Sequence, residues 1–134
     1  MNSRTASVVL HAPKEDVFSY LSKTENLPKW ANIFCKELKV VNGKNKIVTP
    51  LGEMFFEIRS DKETGTIDMF AGPTDNQMSI FPVRVLDMPG GGASVVLFTM
   101  FQTPGLADEQ FDAQYEQLKK ELQNIKTEFM VKCT

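Results

Sequence analysis

Arg84 is the residue of this chain whose surroundings ask for a chemical explanation. If residues 61–64 and 72–75 are four-residue turns, Glu57 faces Asp68 and Asp68 faces Ser79 across neighbouring strands. The period-two alternation of strands then sorts the side chains into two faces. Met54, Phe56, Ile58, Ile67, Met69, Met78, Ile80, Pro82, Arg84 and Leu86 fall on one, which is apolar apart from Arg84. Glu53, Phe55, Glu57, Arg59, Thr66, Asp68, Phe70, Ser79, Phe81 and Val83 fall on the other. The apolar face is expected inside. A guanidinium there needs an acceptor. A protein carboxylate or a solvent rim is the ordinary solution, and an anionic oxygen of a bound molecule is the functional one. Pro82 lacks an N–H and is the expected site of a bulge, which would reverse the faces locally.

The other candidates are weaker. Trp30, after a short helix, reads as core packing before it reads as a stacking platform. Met54, Met69, Met78 and Met100 would suit a pliable lining or a filled core. His11 has the outward parity of its strand and reads as a surface residue. Glu57, Arg59 and Asp68 form an expected outer charge cluster. Tyr115 could give polar direction to a ligand from the last helix. No Ser/His/Asp arrangement, phosphate loop or metal-ligand cluster is recognisable, and no cofactor is implied.

These residues need elements to position them. Strands are expected over 5–11, 36–41, 46–49, 53–60, 65–71, 77–86 and 94–102, separated by Gly, Pro and Asn signals. Pro13 suits a helix start, and 14–21 is helical with Val17, Tyr20 and Leu21 on one face. Thr24 is a candidate N-cap for a second short helix ending on Pro28-Lys29-Trp30. Asn42-Gly43-Lys44-Asn45 reads as a turn. The last helix, 108–129, carries Ala107, Phe111, Tyr115, Leu118, Leu122, Ile125 and Phe129 at spacings of three and four, with Glu116 and Lys120 as a supporting pair. The order β-α-α-β-β-β-β-β-β-α describes an α+β domain over 1–134 in which a curved antiparallel sheet of seven strands wraps one long helix.

Composition excludes some classes. Net charge of −2 without a basic block lacks the footprint of a nucleic-acid binder. The apolar runs are too short to insert in a membrane and residues 1–5 lack a signal-peptide core, so a cytoplasmic protein is expected. Cys35 and Cys133 read as two free thiols, and one His with two distant Cys makes no zinc site.

Ala12-Pro13, Leu27-Pro28-Lys29-Trp30, Thr49-Pro50-Leu51-Gly52-Glu53, Gly65-Thr66-Ile67-Asp68, Pro82-Val83-Arg84-Val85 and Thr103-Pro104-Gly105 carry a resemblance. Over essentially its whole length the chain resembles the START/Bet v 1-like, or SRPBCC, superfamily of helix-grip proteins, and in particular its short bacterial polyketide cyclase-like branch. The resemblance implies a pocket between sheet and last helix. Met69 stands where relatives of this branch often carry a His after the strand's Asp.

Three functions are open at this level. The preferred one is binding of a small hydrophobic or amphipathic ligand in an internal cavity lined by Trp30, Phe56, Ile58, Met69, Ile80, Phe98, Phe111 and Tyr115, with Arg84 directing charge. Phe98 is included on the resemblance. The second is a cyclase- or dehydratase-like lyase or isomerase on an aromatic or polyketide substrate. The third is an interaction module with a filled core. Phe55, Phe70 and Phe81 on the outer face would suit a homodimer packed sheet to sheet.

Overall fold

The computed structural model describes the backbone of residues 2–132 and side chains to residue 130; Cys133 lies outside them. β1 (Ser3–Leu10) leads through Ala12-Pro13 into α1 (Lys14–Leu21), whose first turn is closed by the Pro13 carbonyl accepting from the N–H groups of Asp16 and Val17. A 3-10 turn over Thr24–Asn26 and the single-turn α2 (Leu27–Trp30) follow. Thr24 does not cap them with its side chain. It is itself the first residue of the 3-10 turn, which starts after Lys23.

The remaining strands are β2 (Glu37–Val41), β3 (Lys44–Thr49), β4 (Gly52–Asp61), β5 (Thr66–Thr74), β6 (Gln77–Phe81), β7 (Val83–Asp87) and β8 (Ser94–Phe101). They form one antiparallel sheet in the order β1-β8-β7-β5-β4-β3-β2, with β6 also on β5. The long α3 (Asp108–Lys132) packs along β1 and against α2. Within the helix Glu116 pairs with Lys119, one residue nearer than the expected Lys120. The strand expected over 77–86 is two strands, because Pro82 interrupts the ladder on β5 between them.

Two turns decide which side chains face inward. Between β4 and β5, Arg59 lies opposite Asp68 and Glu57 opposite Phe70. This is two residues away from the expected register, and a shift of two preserves both faces. Between β5 and β6 the ladder starts at Thr74 with Gln77 and then slips, so that Ala71 faces Ser79, Phe70 faces Ile80 and Met69 faces Phe81. Gly72 and Pro73 on β5 therefore span what Met78 alone spans on β6. This bulge, and not Pro82, reverses the faces downstream. Only glycine fits its first position: a Cβ on Gly72 would lie 2.0 Å from the Gln77 carbonyl oxygen and 2.7 Å from Met78 Cα. Beyond Pro82 the slipped register continues, with Thr66 opposite Arg84.

The core lies between the inner face of the sheet and the three helices. Val8 and Leu10 of β1, Val83 and Val85 of β7, and Val96 of β8 meet Leu122 and Ile125 of α3, all nearly or fully buried. Val17, Leu21, Leu27 and Trp30 close one end.

Candidate functional site

Phe98, midway along β8, holds the inner face together. The Trp30 ring meets it edge-on with centroids 6.0 Å apart, and Phe81 approaches at 6.2 Å. Phe34, in the segment between α2 and β2, tilts onto Phe81 at 6.4 Å. Of the expected lining residues, Trp30, Phe56, Met69, Phe98 and Phe111 are buried on the inner side, and Ile58 is there but half-buried. The burial is not uniform. Phe34, Leu38 of β2, Met54 and Ile58 of β4, and Phe81 of β6 pack against the core while keeping part of their surface open. They are inner-face residues: Leu38 faces Ile47, Ile47 faces Met54, Ile58 faces Met69 and Met69 faces Phe81. Together they form an apolar row on the part of the sheet away from β1, the strand along which α3 packs.

Beside this row stands a carboxylate absent from the sequence-based candidates. Glu121 of α3 is only 3% exposed. Its Oε2 accepts the backbone N–H groups of Ile33 (3.2 Å) and Phe34 (3.0 Å), and its Oε1 accepts from Gln117 Nε2 (3.3 Å). Burial raises its pKa above the usual 4.5, against the opposing pull of these hydrogen bonds and of the Lys36 charge. One turn on, Asn124 Nδ2 donates to the Trp30 carbonyl at 2.9 Å. α3 thus holds residues 30–34 by polar contacts, and through them fixes Phe34 over Phe81. The signal is present in the spacing: Leu118, Glu121 and Ile125 continue the inward face of α3 at intervals of three and four.

Three expected site residues are elsewhere. Arg84 is on the outer face, because the Gly72-Pro73 bulge turns β6 and β7 over. Its Nη1 donates to Asp68 Oδ1 at 2.7 Å and to its neighbour's carbonyl, that of Val83, at 2.9 Å, with 41% of its side chain exposed. Ile80 is outward for the same reason and lies opposite Phe70. Met78 and Leu86 share that outward parity, whereas Phe81, Val83 and Val85 point in. Tyr115 lies at the β1 edge, where its hydroxyl donates to the Thr5 carbonyl at 3.4 Å and the Arg4 guanidinium lies 5.2 Å from its ring centroid.

No family model matches the chain, and no curated protein matches it. Solved structures do. A START superfamily protein from Mycobacterium smegmatis superposes with a TM-score of 0.63 at 14% identity, over 94% of this chain and 97% of that one. The di-domain aromatase/cyclase BexL of the BE-7585A biosynthetic pathway matches at 0.71 and 15%, over 95% of this chain and 46% of its own. The Aha1 dimer from Colwellia psychrerythraea matches at 0.69 and 15%, over 96% of each chain. The chain has the START/Bet v 1-like helix-grip fold.

Within this helix-grip frame, Met69 occupies the inner face of β5, 2% exposed between Ile58 and Phe81. The structure has concavities of about 430 and 380 Å³, and both lie outside the helix–sheet interior. The first is bounded by His11, Asp16, Tyr20, Lys23, Lys29 and Glu128, and the second by Asn2, Arg4, Gln102, Asp108 and Asp112 among others. Tyr20, at the first, is pushed up to about 12 by burial, with the Glu128 charge adding to it. The Cys35 thiol is buried and pushed up to about 11 by that burial, so it is protonated and unreactive at neutral pH. Among the described residues no group of His, Cys, Asp and Glu is arranged to hold a metal, and no helix is long and apolar enough to cross a membrane.

Proposed function

We propose that this helix-grip chain, acting in the cytoplasm as one domain over residues 1–134, binds a small apolar or amphipathic molecule on the inner face of its sheet beside α3. The observation that carries the reading is the half-buried apolar row of Phe34, Leu38, Met54, Ile58 and Phe81. The START superfamily likeness supports it at the level of the fold. The ligand would lie over this row and not among Trp30, Phe56, Met69 and Phe98, whose rings and thioether are buried in the core. With Arg84 paired to Asp68 outside, the reading carries no preference for an anionic ligand. Apolar burial would supply most of the affinity, at about 25 cal/mol per Å².

Native mass spectrometry of the protein from its own host, looking for a co-purifying small molecule, tests this directly. Titration with the neutral apolar dye N-phenyl-1-naphthylamine tests the place. Saturable binding that Ile58→Asp abolishes while the fold persists is expected. No bound molecule and no saturable dye binding would leave the third reading, a module that binds other proteins.

A cyclase- or dehydratase-like activity finds support in the BexL likeness and in one buried carboxylate. Glu121 stands beside the apolar row through its bonds to Ile33 and Phe34, and its oxygens already accept three hydrogen bonds. That leaves it poorly disposed to exchange a proton with a substrate.

We also propose that the chain forms a homodimer, a reading to which the Aha1 dimer lends fold-level support. The sheet-to-sheet packing expected from Phe55, Phe70 and Phe81 loses its basis. Phe81 points inward, Lys46 covers the Phe55 ring at 4.6 Å, and the Arg59 guanidinium covers the Phe70 ring at 4.6 Å.

A further inference from the structure

The sheet ends at β2, whose outer edge pairs with no other strand among the described residues. β2 and β3 are joined by the two-residue turn Asn42-Gly43, with φ of 52° and 76°, the left-handed pair of a tight hairpin. Val41 therefore exchanges hydrogen bonds with Lys44, Lys39 with Lys46, and the backbone groups of Leu38 and Val40 point away from β3. A second strand can dock only on those two residues. For two copies related by a two-fold axis, the pairing must be antiparallel, and its centre falls on Leu38, on Lys39 or on Val40. Centring on Lys39 sets Leu38 of each copy against Val40 of the other, but it also brings the two Lys39 side chains face to face, a like-charge contact. Centring on Val40 sets Lys39 against Val41 and runs Leu38 into the turn at Asn42. Centring on Leu38 sets Leu38 against Leu38 on the inner face. On the outer face it sets Glu37 of each copy against Lys39 of the other, an opposite-charge pair made twice.

The side chains suit that register. Glu37 has no ion-pair partner within the described residues, and Lys39 reaches its own Glu53 at 3.3 Å from a side chain 38% exposed. Val40 is 71% exposed, an apolar side chain on the inner-face parity at the sheet's rim. In the Leu38-centred pairing it would lie against Lys36 of the second copy, over the aliphatic stem.

We infer that β2 is the surface through which a second copy of this chain docks, by antiparallel pairing centred on Leu38 and set in register by the reciprocal Glu37–Lys39 pairs. The inference rests on the homodimer reading and is independent of the ligand reading. It would carry the sheet without a break from one copy into the next, and it would place Leu38 of the second copy beside the open end of the apolar row.

Charge exchange across the axis gives the test. In Glu37→Lys, both pairs become Lys against Lys. In Lys39→Glu, both become Glu against Glu. Each variant alone should sediment as a folded monomer where the wild type is dimeric, its dissociation constant raised by on the order of tenfold or more. Mixed in equal amounts, the two should dimerise with each other. The substituted positions then face each other with opposite charges, and the unchanged Lys39 of the first variant faces the unchanged Glu37 of the second. A wild type that remains monomeric at millimolar concentration overturns the homodimer and the surface together. A dimer that survives both variants, or a mixture that stays monomeric, overturns the β2 assignment and leaves the homodimer standing.

Discussion

The inner face of the sheet is closed in two different ways. Along β1, β7 and β8 it meets α3 and α1, and Val8, Leu10, Val85, Val96, Leu122 and Ile125 are almost completely removed from water. Along β2, β4 and β6 it keeps Leu38, Met54, Ile58 and Phe81 half open, with Phe34 held above them by residues that hydrogen-bond to α3. A fully buried aliphatic side chain stabilises the fold by about 1.5–3 kcal/mol, and a half-buried one by correspondingly less. The closed part therefore supplies most of the stability. The open part contributes less to stability and leaves apolar surface in water, the surface that a ligand would cover under the proposed function.

Substitutions can break or sharpen that contrast. The largest effect is expected in the closed part: Ile125→Ala should lower unfolding free energy in urea by about 2–5 kcal/mol. A loss below about 1 kcal/mol would mean that α3 is not packed as described. Next comes the seam between the two parts. Glu121→Ala leaves the Ile33 and Phe34 N–H groups without their acceptor and should cost about 2–4 kcal/mol. Glu121→Gln is expected to differ in sign. Both N–H groups bond to the same oxygen, which Gln retains, the Gln117 amide can turn over to accept from the new NH2, and the buried charge disappears.

The pH dependence of this pair follows from the raised pKa of Glu121. A carboxyl that is harder to ionise folded than unfolded binds more protons in the native state. It therefore lowers stability as pH rises from about the unfolded value of 4.5 through the higher folded value, and the penalty is absent below that window. The wild type should lose stability relative to Glu121→Gln across that interval, as read from urea midpoints at successive pH values. Equal pH profiles would remove the buried charge from the account.

In the open part Ile58→Ala should cost under about 1.5 kcal/mol and yet weaken dye binding by several fold, the reverse of the ratio expected at Ile125. The smallest effect belongs to the outer face. Arg84→Met breaks a partly exposed ion pair with Asp68 and should change stability by about 1 kcal/mol. It should also shift the binding of acidic and neutral apolar probes equally. A selective loss of the acidic probe would return Arg84 to the site.

Much of this architecture is legible in the sequence, and the exceptions have physical causes. The bounds of α1, the existence of α3 and the sidedness of β4 and β5 follow from period and turn residues. An error of two residues in a hairpin register is harmless to the faces. An error of one is not, and Pro73 inside a strand is the mark of the bulge that the sequence pattern assigns to Pro82. The inversion it causes accounts for the misplacement of Arg84, Ile80 and Phe81 together. Glu121 is overlooked for a different reason: its spacing places it on the inward face of α3, and its charge argues against that placement. A charged residue on an amphipathic helix is ordinarily read as solvent-facing, and nothing local announces that two N–H groups of a distant loop await it. The Tyr115 position, in the N-terminal third of a long helix packed on the edge strand, depends on how α3 rotates over the sheet, which spacing alone leaves open within about a turn's width.

The bulge at Gly72-Pro73 also says how this chain can vary. A strand ladder has a reading frame of two, and this one is set once for everything between β6 and β7. Losing or gaining two residues in the β5–β6 turn would leave Phe81, Val83 and Val85 in the core. Deleting one residue at 72 or 73 would exchange them for Ile80, Arg84 and Leu86, burying a guanidinium and expelling three apolar side chains. Length changes at this corner should be accepted in even steps and refused in odd ones, while substitutions around it, Gly72 excepted, are absorbed.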